Sequence, residues 1–434
     1  CLGASRLASP VATITMILAA TVGFGYQMAP SPVLEALRST FALPASNSLL
    51  NLSISIVWPP VIIAAILTGK LIERIGIYRV NTLAMILMIV GAGSAVFCPN
   101  YASYLAGRIV YGFGFGLVVS FMGAAIMQWF APKQREVMNT LNGIFPFLGL
   151  AVCFNATIPV FNLVQADLKL LFALWALPAL VGLVAWVLII RSDEMGYAAT
   201  AEGRAAQAAE TAALANEGTE SGLYTNLLRR REIIYLCLIF VSDFFCVQYI
   251  AAIMPAFFVG TAGVSDAVAN LLVGLFFPIV GIAGAVLGGI LMARSGRRRP
   301  ILIASNLCKF FGIVIIVGGS ALSCLWMMVC GLALFAIGNS IWMPVLYTVI
   351  LELDDMTPAR SAAAFALTSS AGYVAGFLSP LLGGALTDLF AGLSNLKGVS
   401  ASMFGYTWSM ALFSLICSLG LIASLRIRET GPGR

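Results

Sequence analysis

Histidine is missing altogether from the 434 residues, which removes the usual imidazole proton shuttle and His-ligated metal sites. Charge is scarce too: Asp, Glu, Lys and Arg make up 10% of the chain, against about 25% in soluble domains. The nine cysteines stand singly, most inside apolar runs (Cys153, Cys237, Cys246, Cys308, Cys330), with no C-x-x-C. They read as small core residues and not as ligands or a disulfide framework. No G-x-x-x-x-G-K-[ST], no H-E-x-x-H and no G-x-S-x-G occurs, so ATP drive within the chain and familiar hydrolytic centres are not expected. The chain is therefore not read as an enzyme, and neither metal nor cofactor is expected.

What is abundant is apolar sequence: 60% hydrophobic residues and a mean hydropathy of +0.99. Twelve apolar segments can be drawn, each near the ~20 residues that a helix needs to cross a bilayer. They cover 11–31, 49–69, 80–98, 102–126, 138–162 and 169–190, then 233–259, 267–291, 300–320, 324–350, 361–388 and 404–425. The expectation is an all-α membrane protein with a six-helix unit in 1–190, a linker in 191–232 and a second six-helix unit in 233–434. The first segment lacks a small-residue cleavage site behind a short apolar core, so it is read as a retained span.

Arginine and lysine set the orientation. With the N-terminus inside, 19 of the 24 basic residues fall in cytoplasmic segments, three (Arg38, Lys169, Lys397) outside, and two (Arg108, Lys309) within spans. Both termini are then cytoplasmic in a multi-pass protein of the inner membrane. The same alternation explains the +6 net charge without a nucleic-acid partner.

One basic turn occurs twice. Gly69, Leu71, Arg74, Gly76 and Arg79 return 220 positions later as Gly289, Leu291, Arg294, Gly296 and Arg299. Either copy alone is a juxtamembrane loop; two copies at equivalent places make the chain two similar halves. This arrangement resembles the major facilitator superfamily, whose loop motif G-x-L-x-D-R-x-G-R-R/K is matched by Gly69, Leu71, Glu73, Arg74 and Gly76, with Glu for Asp, Ile77 where Arg is usual and Arg79 one place beyond the last basic position. The second copy has Ala293 at the acidic position. A second family motif, R-x-x-x-G-x-G in span four, is matched by Arg108, Gly112 and Gly114. The resemblance implies a secondary transporter working by alternating access, a central solute site between halves, and a gating role for Glu73 in the loop. The bland alternative is that Arg74 and Arg79 only fix topology. The second loop, lacking its acid, is read as an anchor to anionic lipid headgroups.

Charges inside a membrane are costly and default to function. Arg108 lies about a third of the way in from the outside; the resemblance implies a place near the cavity or in proton coupling, and the bland alternative is that it caps loop carbonyls from within the N-terminal half. Asp243 in span seven and Lys309 in span nine share a depth about ten residues from the cytoplasmic ends. They form a buried ion pair, or Asp243 is protonatable and couples transport to protons. An echo bears on the solute: Tyr26-Gln27 then Pro30 in span one, and Gln248-Tyr249 then Pro255 in span seven. The resemblance puts spans one, four, seven and ten around the cavity, so these pairs, with Tyr111, Asn339, Trp342 and Tyr347, form the candidate lining, to which span eleven adds Tyr373; packing is the bland reading for the aromatics. An amide and phenol lining with one arginine suits a small anion or zwitterion first, and lipophilic compounds for efflux second. A channel or a non-transporting sensor is the rival of another class. A monomer is expected.

Overall fold

The computed structural model describes residues 15, 18–19, 21–189, 197, 200–205, 208, 223–354, 356 and 358–431. The start of span one, Arg6, Arg191, Arg434 and most of the 191–232 linker lie outside them. Among the described residues, ten stretches are long and apolar enough to cross a membrane, and one of them, Asn47–Phe97, holds two spans. Counting it twice gives eleven; of span one, residues 21–28 are helical, and the described residues form an all-helical fold that fits the twelve expected spans.

Span two starts as Asn47–Ser55 and resumes at Trp58. The run Trp58–Gly93 is two helices meeting at Gly76, where φ is 81° and ψ is 162°. The later spans are Tyr101–Trp129, Pro132–Leu163, Leu168–Leu174 with Ala176–Ile189, Arg231–Ala262, Asp266–Ser295, Arg299–Ala321, Leu325–Glu352, Pro358–Leu393 and Val399–Arg426. Most run a few residues past the apolar segments because basic and small polar residues continue the helix into the interface. Pro59 and Pro60 follow the break at Ile56 and Val57, where they leave the Ser55 and Ile56 carbonyls without an i+4 donor, and they open the resumed helix, whose first turn tolerates residues without an N–H. In span eight a π-helical turn, Leu275–Ile279, contains Pro278.

The repeated glycine has a conformational reason. Gly296 caps the helix ending at Ser295 with φ 61°, as Gly76 breaks its helix at φ 81°. Both values are strained for a residue with a Cβ, so the turn that reverses the chain recurs with the same residue.

Packing divides the chain into two compact units. The first holds the described parts of Cys1–Tyr26, Pro59–Gly149 and Lys169–Gly222. There Trp186 donates to the Tyr78 carbonyl at 3.3 Å and stacks on the Tyr78 ring. The second holds Gln27–Trp58, Leu150–Leu168 and Leu223–Arg434. Its spans nine and ten cross on glycine. A Cβ at Gly331 would lie 2.8 Å from the Gly312 carbonyl oxygen, and one at Gly338 would lie 2.6 Å from the Ser305 oxygen and 2.8 Å from the Lys309 nitrogen. Small residues let helix backbones meet in this way where no hydrophobic force separates helix from lipid.

Candidate functional site

In the first unit, Arg108 is fully buried. Its Nη1 donates to the Tyr26 carbonyl at 2.6 Å, and its guanidinium carbon lies 4.7 Å from the Tyr26 ring centroid. The reason lies four residues on: Pro30 has no N–H to give that carbonyl, and Arg108 supplies the donor. Tyr111 OH donates to the Val22 carbonyl at 2.7 Å, and its ring meets Tyr26 at 4.4 Å between centroids. Tyr26 also faces Phe172 at 6.2 Å. Arg108, Tyr26 and Tyr111 therefore sit together inside the helix packing.

The same chemistry recurs in the second unit. Pro255 cannot serve the Ala251 carbonyl, which accepts instead from Ser31 Oγ at 2.8 Å, shared with the Ala252 carbonyl at 2.8 Å. Gln27 Nε2 donates to Gln248 Oε1 at 3.2 Å and to the Ile54 carbonyl at 3.3 Å. Tyr249 turns the other way, with its hydroxyl 2.7 Å from Thr387 Oγ1 and its ring 4.6 Å from Phe413. Of the two echoed Tyr/Gln pairs, the structure brings the glutamines together and sends each tyrosine back among helices. Neighbouring residues on a helix are about 100° apart, so one of each pair had to turn away.

Asp243 and Lys309 meet: Nζ lies 2.8 Å from Oδ1, and the side chains are 3% and 0% exposed. Asn339, its amide nitrogen turned to a carboxylate that only accepts, donates to Oδ1 at 3.2 Å and Oδ2 at 3.1 Å. Lys309 Nζ stands 5.9 Å from the Trp342 ring centroid. Asp243 thus faces spans nine and ten together, while Gln248, about 140° further round span seven, faces span one. An aromatic chain continues from there. Trp342 packs on Phe240 at 4.9 Å, Phe240 on Phe244 at 5.0 Å and Phe244 on Trp58 at 5.6 Å; Trp58 then stacks on Tyr373 at 5.2 Å. Tyr347 packs against Phe365 at 5.4 Å.

At the basic turns, Glu73, Arg74, Arg79 and Arg294 are exposed. The acid missing at Ala293 is supplied from far away in sequence. Arg298 is held by Glu352 at 2.7 and 3.1 Å. The backbone N–H groups of Arg298 and Arg299 donate to Glu429 at 2.7 and 3.1 Å. Glu429 thereby caps the start of span nine, where a carboxylate is favoured. Thr430 Oγ1 adds a bond to Glu352 at 2.8 Å. Neither glutamate carries a local sequence signal, since each lies at a helix end among ordinary polar residues. Among the described residues no cluster of three or more Cys, Asp or Glu has metal-site geometry.

A model of the Major Facilitator Superfamily matches residues 15–380. A facilitated glucose transporter of Danio rerio, solute carrier family 2 member 10, is 23% identical over 319 residues, 71% of this chain; the chain spans 61% of that relative's length. A crystal structure of a D-xylose-proton symporter superposes with a TM-score of 0.76 at 17% identity, over 98% of this chain and 99% of that one. A bacterial homologue of the human lysosomal transporter Spinster, inward-facing and unoccupied, gives 0.72 at 16% identity, over 96% and 97%. At such identities the structural likeness is one of fold.

Proposed function

Given that the chain belongs to the major facilitator superfamily of secondary transporters, we propose that it carries a small neutral polar solute of the sugar class by rocker-switch alternating access. The reading rests on the Gln27–Gln248 contact, which joins the two echoed motifs through amides that donate and accept equally well. The Trp58–Tyr373 stack adds the aromatic chemistry that suits hydroxyl-rich rings. The sugar transporters among the similar proteins agree with it. The anion expected from Arg108 loses its main support, because that guanidinium serves the Tyr26 carbonyl. Six-helix halves in 1–190 and 233–434 rock about the linker 191–232, with both termini in the cytoplasm and a monomer as the working unit. The exposed Arg294 and Arg297 lie at the level of anionic headgroups.

Counterflow in proteoliposomes tests this. Preloaded pentose or hexose is expected to drive saturable uptake of the labelled sugar. Gln248→Ala is expected to raise the half-saturating concentration about tenfold, the loss of one to two hydrogen bonds. Arg108→Gln is expected to lower thermal stability without changing the preference for neutral over anionic solutes. Saturable exchange of an organic acid that Arg108→Gln abolishes would restore the anion reading; exchange of lipophilic compounds would favour efflux, and a linear ion current a channel.

A further inference from the structure

At the end of span eleven away from the basic turns, the carboxylate of Asp388 receives four donors from the start of span two. The Asn47 backbone N–H lies 3.0 Å from each oxygen, Asn47 Nδ2 2.7 Å from Oδ1, Ser46 Oγ 3.1 Å and the Ser48 N–H 3.4 Å from Oδ2. Around this grip, Tyr406 OH donates to Asn47 Oδ1 at 2.9 Å, Ser48 Oγ to the Leu381 carbonyl at 3.3 Å and Asn51 Nδ2 to the Pro380 carbonyl at 3.0 Å. Gly384 leaves the room for it: a Cβ there would fall 2.6 Å from the Ser48 nitrogen.

We propose that Asp388 is the outer latch of the carrier, a carboxylate that seizes the first turn of span two while the outward mouth is shut and releases it when the mouth opens. The proposal rests on the alternating-access reading and its orientation. Three features carry it. First, spans two and eleven lie in different linear halves, 341 residues apart at the Asn47–Asp388 contact, so rocking halves must part them. Second, a carboxylate at a helix start is held by orphan N–H groups and the positive end of the helix dipole, a strong but short-range attraction. Third, every donor is neutral and Asp388 is half-buried, so water replaces the bonds on both sides after separation and the grip is reversible. The Asp243–Lys309 pair, with almost no exposure, lacks that freedom.

Spin labels at Leu49→Cys and Leu389→Cys, both exposed, in a protein whose exposed Cys324 and Cys330 are serine, report the gap. Pulsed dipolar spectroscopy of the full chain in nanodiscs is expected to give mainly a short distance in the parent. Asp388→Ala is expected to raise the ratio of long to short distance about tenfold, the order of a lost charge-assisted cap. Asp388→Asn, which keeps the shape and some acceptor capacity, is expected to fall between, and serves if the alanine variant folds poorly. Gly384→Val is expected to reproduce the long distance by wedging. An unchanged distribution in Asp388→Asn and Asp388→Ala, with Gly384→Val opening normally, overturns the latch. Counterflow by the parent is measured in parallel: its absence would sink the transport reading and leave the distance result to judge the latch alone.

Discussion

Lys309→Met will leave the carboxylate of Asp243 buried without its cation, and the purified protein is expected to lose roughly 3–5 kcal/mol, the usual consequence of breaking one side of a buried ion pair. In a membrane protein this appears as low yield and a much lower unfolding temperature. Asp243→Asn is expected to do similar damage by stranding the ammonium, because Asn339 and Trp342 supply no negative charge. The double variant Asp243→Asn/Lys309→Met removes both charges together and is expected to recover most of the parent's stability, a large coupling in a double-mutant cycle. That result makes the pair a clamp among spans seven, nine and ten. The opposite result, a stable Asp243→Asn that keeps counterflow and loses only uptake driven by a pH gradient, would make Asp243 the proton-coupling group.

Gly338→Val is expected to be nearly as harmful by a different route. Its Cβ would meet the Ser305 oxygen and the Lys309 nitrogen, both backbone atoms, so no side-chain rotation relieves it. Ser305 Oγ, which donates to the Gly338 carbonyl at 2.6 Å, would be pushed off as well. Overpacking costs about 1–3 kcal/mol in ordinary cores; here the upper end is expected, because the displaced segment carries Lys309 away from Asp243. Gly289→Val is the control, since no atom lies within 4 Å of a Cβ at Gly289. Thermal unfolding of both variants decides: equal melting temperatures would mean that spans nine and ten separate without harm.

The spans were readable because a membrane imposes length, and apolar runs of that length have few other uses. The turns at Gly76 and Gly296 were readable because a positive φ selects glycine. Equal depth in the bilayer was enough to suggest Asp243 with Lys309. Direction around a helix was not readable in the same way. Tyr26 and Gln27 are adjacent, and nothing in the order Tyr-Gln says which of the two turns inward. Arg108 had a legible depth and an illegible target; the clue was Pro30, which orphans one carbonyl, but a carbonyl leaves no letter in the sequence. Glu352 and Glu429 were invisible as substitutes for the acid missing at Ala293, since they reach it only through the fold. Asp388 was missed for the same reason, as a carboxylate near a helix end has an ordinary solvated role by default.

The π-helical turn at Leu275–Ile279 amounts to one residue more than a regular helix would need over the same rise. Each residue turns an α-helix by about 100°, so everything after the turn is rotated by that much relative to everything before it. Gly284 and Gly288, which lie against the Ile337 and Ile341 carbonyls of span ten, depend on that rotation to face their neighbour. A relative one residue shorter here, with an unbroken α-helix, would have to carry its small residues at other positions in span eight, and an alignment that closed the gap elsewhere would assign the wrong face of that helix to the protein interior.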